Sequence, residues 1–159
     1  MHAGQNVPLI IRNYEKKDFD ELIDIQAACF PPPFPSSLWW NKEQLHNHVT
    51  LFPEAAICIE INNKVVASLT GVCVDFDLSH PTHTWGEMTA EGYITNHNPY
   101  GNTVYIVDIS VHPLYRNLGL GKLLMHSIYH VVIQKDLKRL LGGARMPSYC
   151  QHANQLSAD

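Results

Sequence analysis

Two hydrophobic periods alternate along the chain, and the switches between them divide it into elements. Residues 7–13 are apolar and β-branched, which predicts a first strand. Asp18 with Glu21 three residues on reads as a capping-box helix start. Leu22, Ile25 and Cys29 then recur at helical spacing, and Pro31, Pro32, Pro33 and Pro35 end the helix in a stiff connector. Residues 37–50 predict a second helix with Leu38, Leu45 and Val49 on one side; Trp39 and Trp40 suit core packing or the lining of a substrate entrance. Residues 55–61 and 64–76 are strand-like, and the Asn62-Asn63 pair between them predicts an antiparallel hairpin. Residues 77–102 are polar and irregular, with room for short strands at 84–88 and 92–95.

The clearest pattern comes next. Residues 104–111 have a period-two component that places Tyr105, Val107, Ile109 and Val111 on one face and Ile106, Asp108, Ser110 and His112 on the other. Pro113 ends that strand. Leu120, Leu124, Ile128 and Val131 form an apolar helical stripe, and residues 137–142 read as a last strand. The order strand-helix-helix-strand-strand-loop-strand-helix-strand predicts a mixed α/β fold with a parallel crossover around the last helix.

Composition narrows the function. A chain of 159 residues suits a single domain, and 45% apolar with 16% charged residues suits a globular one. Eleven basic against fifteen acidic residues give −4, too acidic for a general nucleic-acid or anionic-membrane surface. No apolar run reaches the roughly 20 residues that span a bilayer, and the N-terminus lacks a signal-peptide pattern; a cytoplasmic protein is expected. Cys29, Cys58, Cys73 and Cys150 are widely spaced, as free thiols in a reducing compartment would be.

Gly119 and Gly121 sit where the strand gives way to a helix. A glycine-rich turn at that place leaves backbone N–H groups unpaired, lets a ligand come close, and adds the positive end of the helix dipole. It suits a phosphate or pyrophosphate, with Arg116 and Lys122 adding charge. Two glycines alone also suit a plain tight turn. A P-loop would need a further upstream glycine and a Ser or Thr where Leu123 stands, and a dinucleotide fingerprint would need a third glycine.

The whole string VDISVHPLYRNLGLGKLL closely resembles the central motif of the GCN5-related N-acetyltransferase (GNAT) superfamily. Arg116, Gly119 and Gly121 match its fixed positions, and Val111, His112, Pro113 and Tyr115 match its flanks. Residues 95–103 and 142–147 further resemble a subgroup found fused to a carbon–nitrogen hydrolase domain. The resemblance implies a mixed, mostly antiparallel central sheet flanked by helices, the acyl-CoA N-acyltransferase fold. It implies an acetyl-CoA-dependent N-acetyltransferase acting on a primary amine by direct attack in a ternary complex, without a metal. Backbone groups of Arg116, Asn117, Leu118, Gly119, Leu120, Gly121 and Lys122 would take the pyrophosphate, and those of Ile109, Ser110 and Val111 the pantetheine arm.

Amine attack on a thioester needs a general base and gains from a general acid. By the same resemblance Asp108 is the candidate base, equally readable as a structural strand residue, with Glu87 and Glu91 as rivals; Tyr149 is the candidate acid. Tyr105 stands where relatives can carry a carboxylate, and its pKa of about 10 makes it a poor base. Ten histidines include the i,i+4 pair His126 and His130, which reads as surface rather than metal site, and His97 lies in the part matching the subgroup. The superfamily's last helix and hairpin do not fit into residues 151–159, so the expectation is one domain over 1–159 that lacks them. A homodimer, or a fused or partner domain, would then complete the acceptor side. The acceptor is a small-molecule or protein amine; the alternative function is a non-catalytic acyl-CoA-binding regulatory module.

Overall fold

The computed structural model describes residues 6–143. Five strands form one sheet in sequence order: β1 (Leu9–Asn13), β2 (Ala56–Ile61), β3 (Lys64–Val74), β4 (Thr103–Val111) and β5 (Arg139–Gly142). The first three junctions are antiparallel and the last is parallel, so the expected crossover is present around α4 (Leu120–Gln134). The β2–β3 turn holds Asn62 and Asn63 at φ 51° and 61°, the left-handed region that a two-residue hairpin of this kind requires.

Two helices cover the sheet from opposite sides. On one side α1 (Phe19–Cys29) buries Phe19, Leu22, Ile25 and Gln26 against β3 and β4. On the other, α4 buries the predicted stripe of Leu120, Leu124, Ile128 and Val131. Each fully buried Leu or Ile contributes about 1.5–3 kcal/mol of transfer free energy. The helix α2 (Lys42–Leu51) starts at Asn41, whose side chain accepts the Gln44 N–H while the Gln44 side chain answers on the Asn41 N–H.

Several local expectations are corrected. The second helix is two pieces, a 3-10 turn at Ser36–Leu38 and then α2, with Trp39 and Trp40 in the break between them. Trp40 is buried in the core, and Trp39 donates its indole N–H to the Phe30 carbonyl. Glu21 does not cap α1; its carboxylate takes the Val65 N–H, and the box at that helix start pairs Glu15 with Asp18. Residues 84–88 are no strand but belong to a short helix, α3 (Trp85–Thr89), capped reciprocally by Thr84 and Glu87. Residues 92–95 form no strand either: Ile94, fully buried, has φ 47°, which no strand accepts.

The face assignment in β4 is also corrected. Thr70 pairs with Asp108 but Gly71 pairs with Ile106, so Val107 is an extra residue on β4. Such a bulge resets the alternation. Tyr105 pairs with Val72 and Asp108 with Thr70, which share a face of β3, so Tyr105 and Asp108 both look toward α1. Ile106 and Ile109 instead line one cavity against α4.

Candidate active site

Among the described residues, strand β4 is paired with β5 only from Thr103 to Ile106, then runs on to Val111 with that edge open. The His112 N–H reaches the Val66 carbonyl at 2.9 Å. In an antiparallel pair this bonding falls on every second residue. Ser110 and Asp108 therefore turn their backbones toward β3, while Val111 and Ile109 turn theirs toward the open edge. Two cavities flank that edge and meet at Ile109. One, of about 340 Å3, lies in the parting of β4 from β5, against Met125 and Tyr129 of α4. The other, of about 430 Å3, is lined by Cys29, Phe30, Ser110, Val111, Arg116 and Asn117. The Val111 carbonyl is already taken, by the Cys29 thiol at 3.3 Å and the Arg116 Nε at 3.2 Å.

The turn after β4 is held open by left-handed backbone at Asn117 (φ 64°) and Gly119 (φ 79°). Gly119 is the N-cap of α4 and supplies no side-chain cap, so the first N–H groups of this 15-residue helix are offered outward. A Cβ placed on Gly119 or Gly121 would meet nothing within 4 Å. Protein packing therefore does not account for the missing side chain at Gly121. Open space beside bare N–H donors fits an anionic group, and Arg116 and Lys122 are exposed beside it.

Asp108 lies beyond the bulge, partly buried beneath α1. Its Oδ2 accepts from the Ser110 hydroxyl at 2.7 Å and from the Gln26 amide at 3.1 Å. The same Gln26 nitrogen donates to the Ser110 oxygen at 3.2 Å. Burial pushes the Asp108 carboxyl up to about 6, against the opposing pull of these two donors. A carboxyl group there changes charge close to neutral pH.

Other sequence candidates are placed differently. Glu87 is exposed and accepts the Thr84 N–H as the α3 cap, which holds its pKa below the usual carboxylate range. The Glu91 carboxylate lies against Gly86, and its backbone carbonyl takes the Gln44 amide at 3.0 Å. Tyr105 is buried, with its hydroxyl at the Gly143 N–H, and burial raises its pKa. His126 and His130 are exposed, and the described residues hold no cluster of three side chains fit for a metal. His97 accepts the Cys73 N–H through Nδ1 at 3.1 Å and stacks on Phe52, a structural post away from both cavities. Tyr149 lies outside the described residues.

Three contributors to the site escaped the sequence reading. Gln26 stands four residues after Leu22 on the buried face of α1, and a polar residue in an apolar stripe was the available signal. Trp85 donates its indole N–H at 2.9 Å to the carbonyl of the bulged Val107, a contact no local pattern announces. Tyr129 lines the parting of β4 and β5 from the half-exposed side of α4.

The profile of the Acetyltransferase (GNAT) family matches residues 19–148. The chain belongs to the GNAT family. The Bacillus subtilis (strain 168) protein "Uncharacterized N-acetyltransferase YkwB" is 49% identical to it over 159 residues, covering 99% of this chain and 70% of that protein. "Probable hydrolase YhcX" of the same organism is 37% identical over 150 residues, and the match spans 94% of this chain but only 28% of the hydrolase. Among solved structures, the GphF GNAT-like decarboxylase in complex with isobutyryl-CoA superposes with a TM-score of 0.75 at 21% identity, covering 93% of this chain and 72% of that one. At that identity the likeness speaks for the fold. As a GNAT acyltransferase the chain moves an acyl group from a CoA thioester to an amine, and the open β4 edge, the glycine turn and Asp108 are the parts to be fitted to that reaction. No helix among the described residues is long and apolar enough to cross a membrane.

Proposed function

We propose that the chain is an N-acetyltransferase that takes acetyl-CoA as donor and a primary amine as acceptor, both bound at once. The observation that carries this reading is the β4 edge left unpaired among the described residues, which runs from the glycine turn to the parting of the strands beside Asp108. Backbone N–H groups from Arg116, Asn117, Leu118, Gly119, Leu120, Gly121 and Lys122 hold the pyrophosphate. The Ile109 N–H and carbonyl and the Val111 N–H pair with the pantetheine arm as a further strand would, alongside Ser110. The thioester supplies an acyl carbonyl open to attack. Asp108 removes a proton from the incoming ammonium, directly or through one water, and the neutral amine attacks. Tyr149 is assigned the return of a proton to the departing thiolate sulfur. Glu87, bound to its helix cap, is the weaker base.

The acceptor side belongs to the α1 face, where Asp108 lies. A fused or partner domain, or a second copy of the chain, is the candidate to complete it; the match to 28% of a hydrolase supports the fused arrangement. The test has two parts. Acetyl-CoA should raise the melting temperature by mass action on the folded state, and a panel of amines should release free thiol from it. No melting shift at millimolar acetyl-CoA would sink the donor assignment. A shift without thiol release from any amine would favour the regulatory acyl-CoA-binding module instead.

A further inference from the structure

The sheet face under α1 carries more polar side chains than an interior strand pair needs. Ser68, Thr70 and Ser110 are buried there, and Thr70 and Ser68 are the register partners of Asp108 and Ser110. Into this patch α1 sends one polar side chain, Gln26, only 4% exposed. Its amide nitrogen donates to Asp108 Oδ2 and to the Ser110 hydroxyl, which in turn donates to the same Oδ2. Oδ1 takes no bond among the described residues and is not among their buried atoms left without a partner, so its lone pairs are available to a further donor.

We propose that Gln26 is a positioning residue for the base: from α1 it clamps Oδ2 of Asp108 together with Ser110, and so aims Oδ1 at the incoming amine. This rests on the reading of Asp108 as the base. A buried carboxylate stripped of its donors would hold its proton more tightly or turn away. One amide bridging two residues on a single face of β4 fixes both the rotamer and the charge state of the acid. It also couples the α1 helix, which borders the acceptor side, to the acid–base group.

The groups facing Asp108 are few. Tyr14, just before α1, and Cys29, at its end, both sense the Asp108 charge, and burial raises both above their ordinary values. His48 of α2 lies one hydrogen bond beyond Tyr14 and is pushed down to about 4 by burial. Gln26, Ser110 and Thr70 do not titrate. A proton released near pH 6 in this patch is therefore that of Asp108.

The experiment is a carbon-13 titration of the aspartate carboxyls in the whole chain, with the Asp108 signal assigned by its loss in Asp108→Asn. Gln26→Met keeps the shape of the side chain and removes both donors. It should move the Asp108 midpoint upward by half a unit to one unit, and Gln26→Glu should move it further through like-charge repulsion. Ser110→Ala, a milder change, should move it in the same direction and serves if Gln26→Met fails to fold. In the amine assay, Gln26→Met should cost about two- to sixfold in kcat/KM at pH 6 and recover most of it at pH 8. An Asp108 midpoint unmoved in folded Gln26→Met and Ser110→Ala overturns the clamp. An equal loss of rate at both pH values marks a merely structural residue and overturns it as well. If Asp108→Asn retains the wild-type rate, the base assignment fails, an outcome the titration distinguishes from failure of the clamp.

Discussion

At the turn of residues 116–121 the groups offered to a ligand are main-chain donors bared by glycine, whereas at Asp108 they are side chains held by two separate elements. The turn is local: its six residues are contiguous, and its chemistry is an absence of side chains beside open space. The acid patch is not local. Gln26 and Asp108 are 82 residues apart in the chain and meet only because α1 packs across β4. A backbone site tolerates change at every position whose side chain points away. A side-chain site fails when any one member of its network is lost.

The comparison breaks most visibly at the acid itself. Asp108→Asn should lower kcat by about 10²–10⁴-fold, the usual worth of a positioned general base. The donor's binding constant, read by calorimetry, should hardly move. A parallel loss of donor affinity would mean that the two regions are not separable.

Next in size is the turn. Gly119→Glu should weaken acyl-CoA binding on the order of 100-fold, because a side chain is strained at φ 79° and the added carboxylate repels phosphate. Gly119→Ala should cost less, since a Cβ alone meets no protein atom within 4 Å. Equal losses in the two variants would assign the effect to backbone strain rather than to an anion at the site.

The smallest effect is on stability. Asp108 holds its proton up to about 6 in the folded chain, above the value near 3.9 of an unfolded aspartate. The folded state binds that proton more tightly, so this contribution to stability is present below about pH 4 and is lost as pH rises through 6. At pH 7 the ionised group is a burden of at most about 3 kcal/mol. Asp108→Asn should therefore raise the melting temperature by a few degrees at pH 7, and the gain should fade toward pH 4. His48 runs the other way: with its folded value near 4, its contribution is present above about 6.5 and is lost as pH falls toward 4. A melting gain that persists at pH 4 would point to packing rather than charge.

Much of the fold was legible because its elements announce themselves locally. The apolar stripe of α4, the Asn62-Asn63 turn and the β-branched strands each carry their own signal. The glycine turn was readable for the same reason. What stayed hidden depended on partners remote in sequence or on a single inserted residue. The α3 helix was read as a strand because five residues give too little period, although Thr84 and Glu87 spelled a capping box. Glu21 looked like a cap and instead serves the Val65 N–H, 44 residues away. Gln26 was visible only as an interruption in an apolar face, with nothing local to say what it met.

The extra residue in β4 has a consequence for how the gene can vary. Before Val107 the odd-numbered side chains look toward α1, and after it the even-numbered ones do. The strand thus carries two reading frames, spliced at one position. Removing that one residue would join Ile106 directly to Asp108 and leave each half on its present partners in β3. Asp108 would stay under α1 and Ile109 toward α4, while the Val107 carbonyl that takes the Trp85 indole N–H would be gone. A single-codon deletion at the splice thus spares both faces of the strand and costs it the tether to α3.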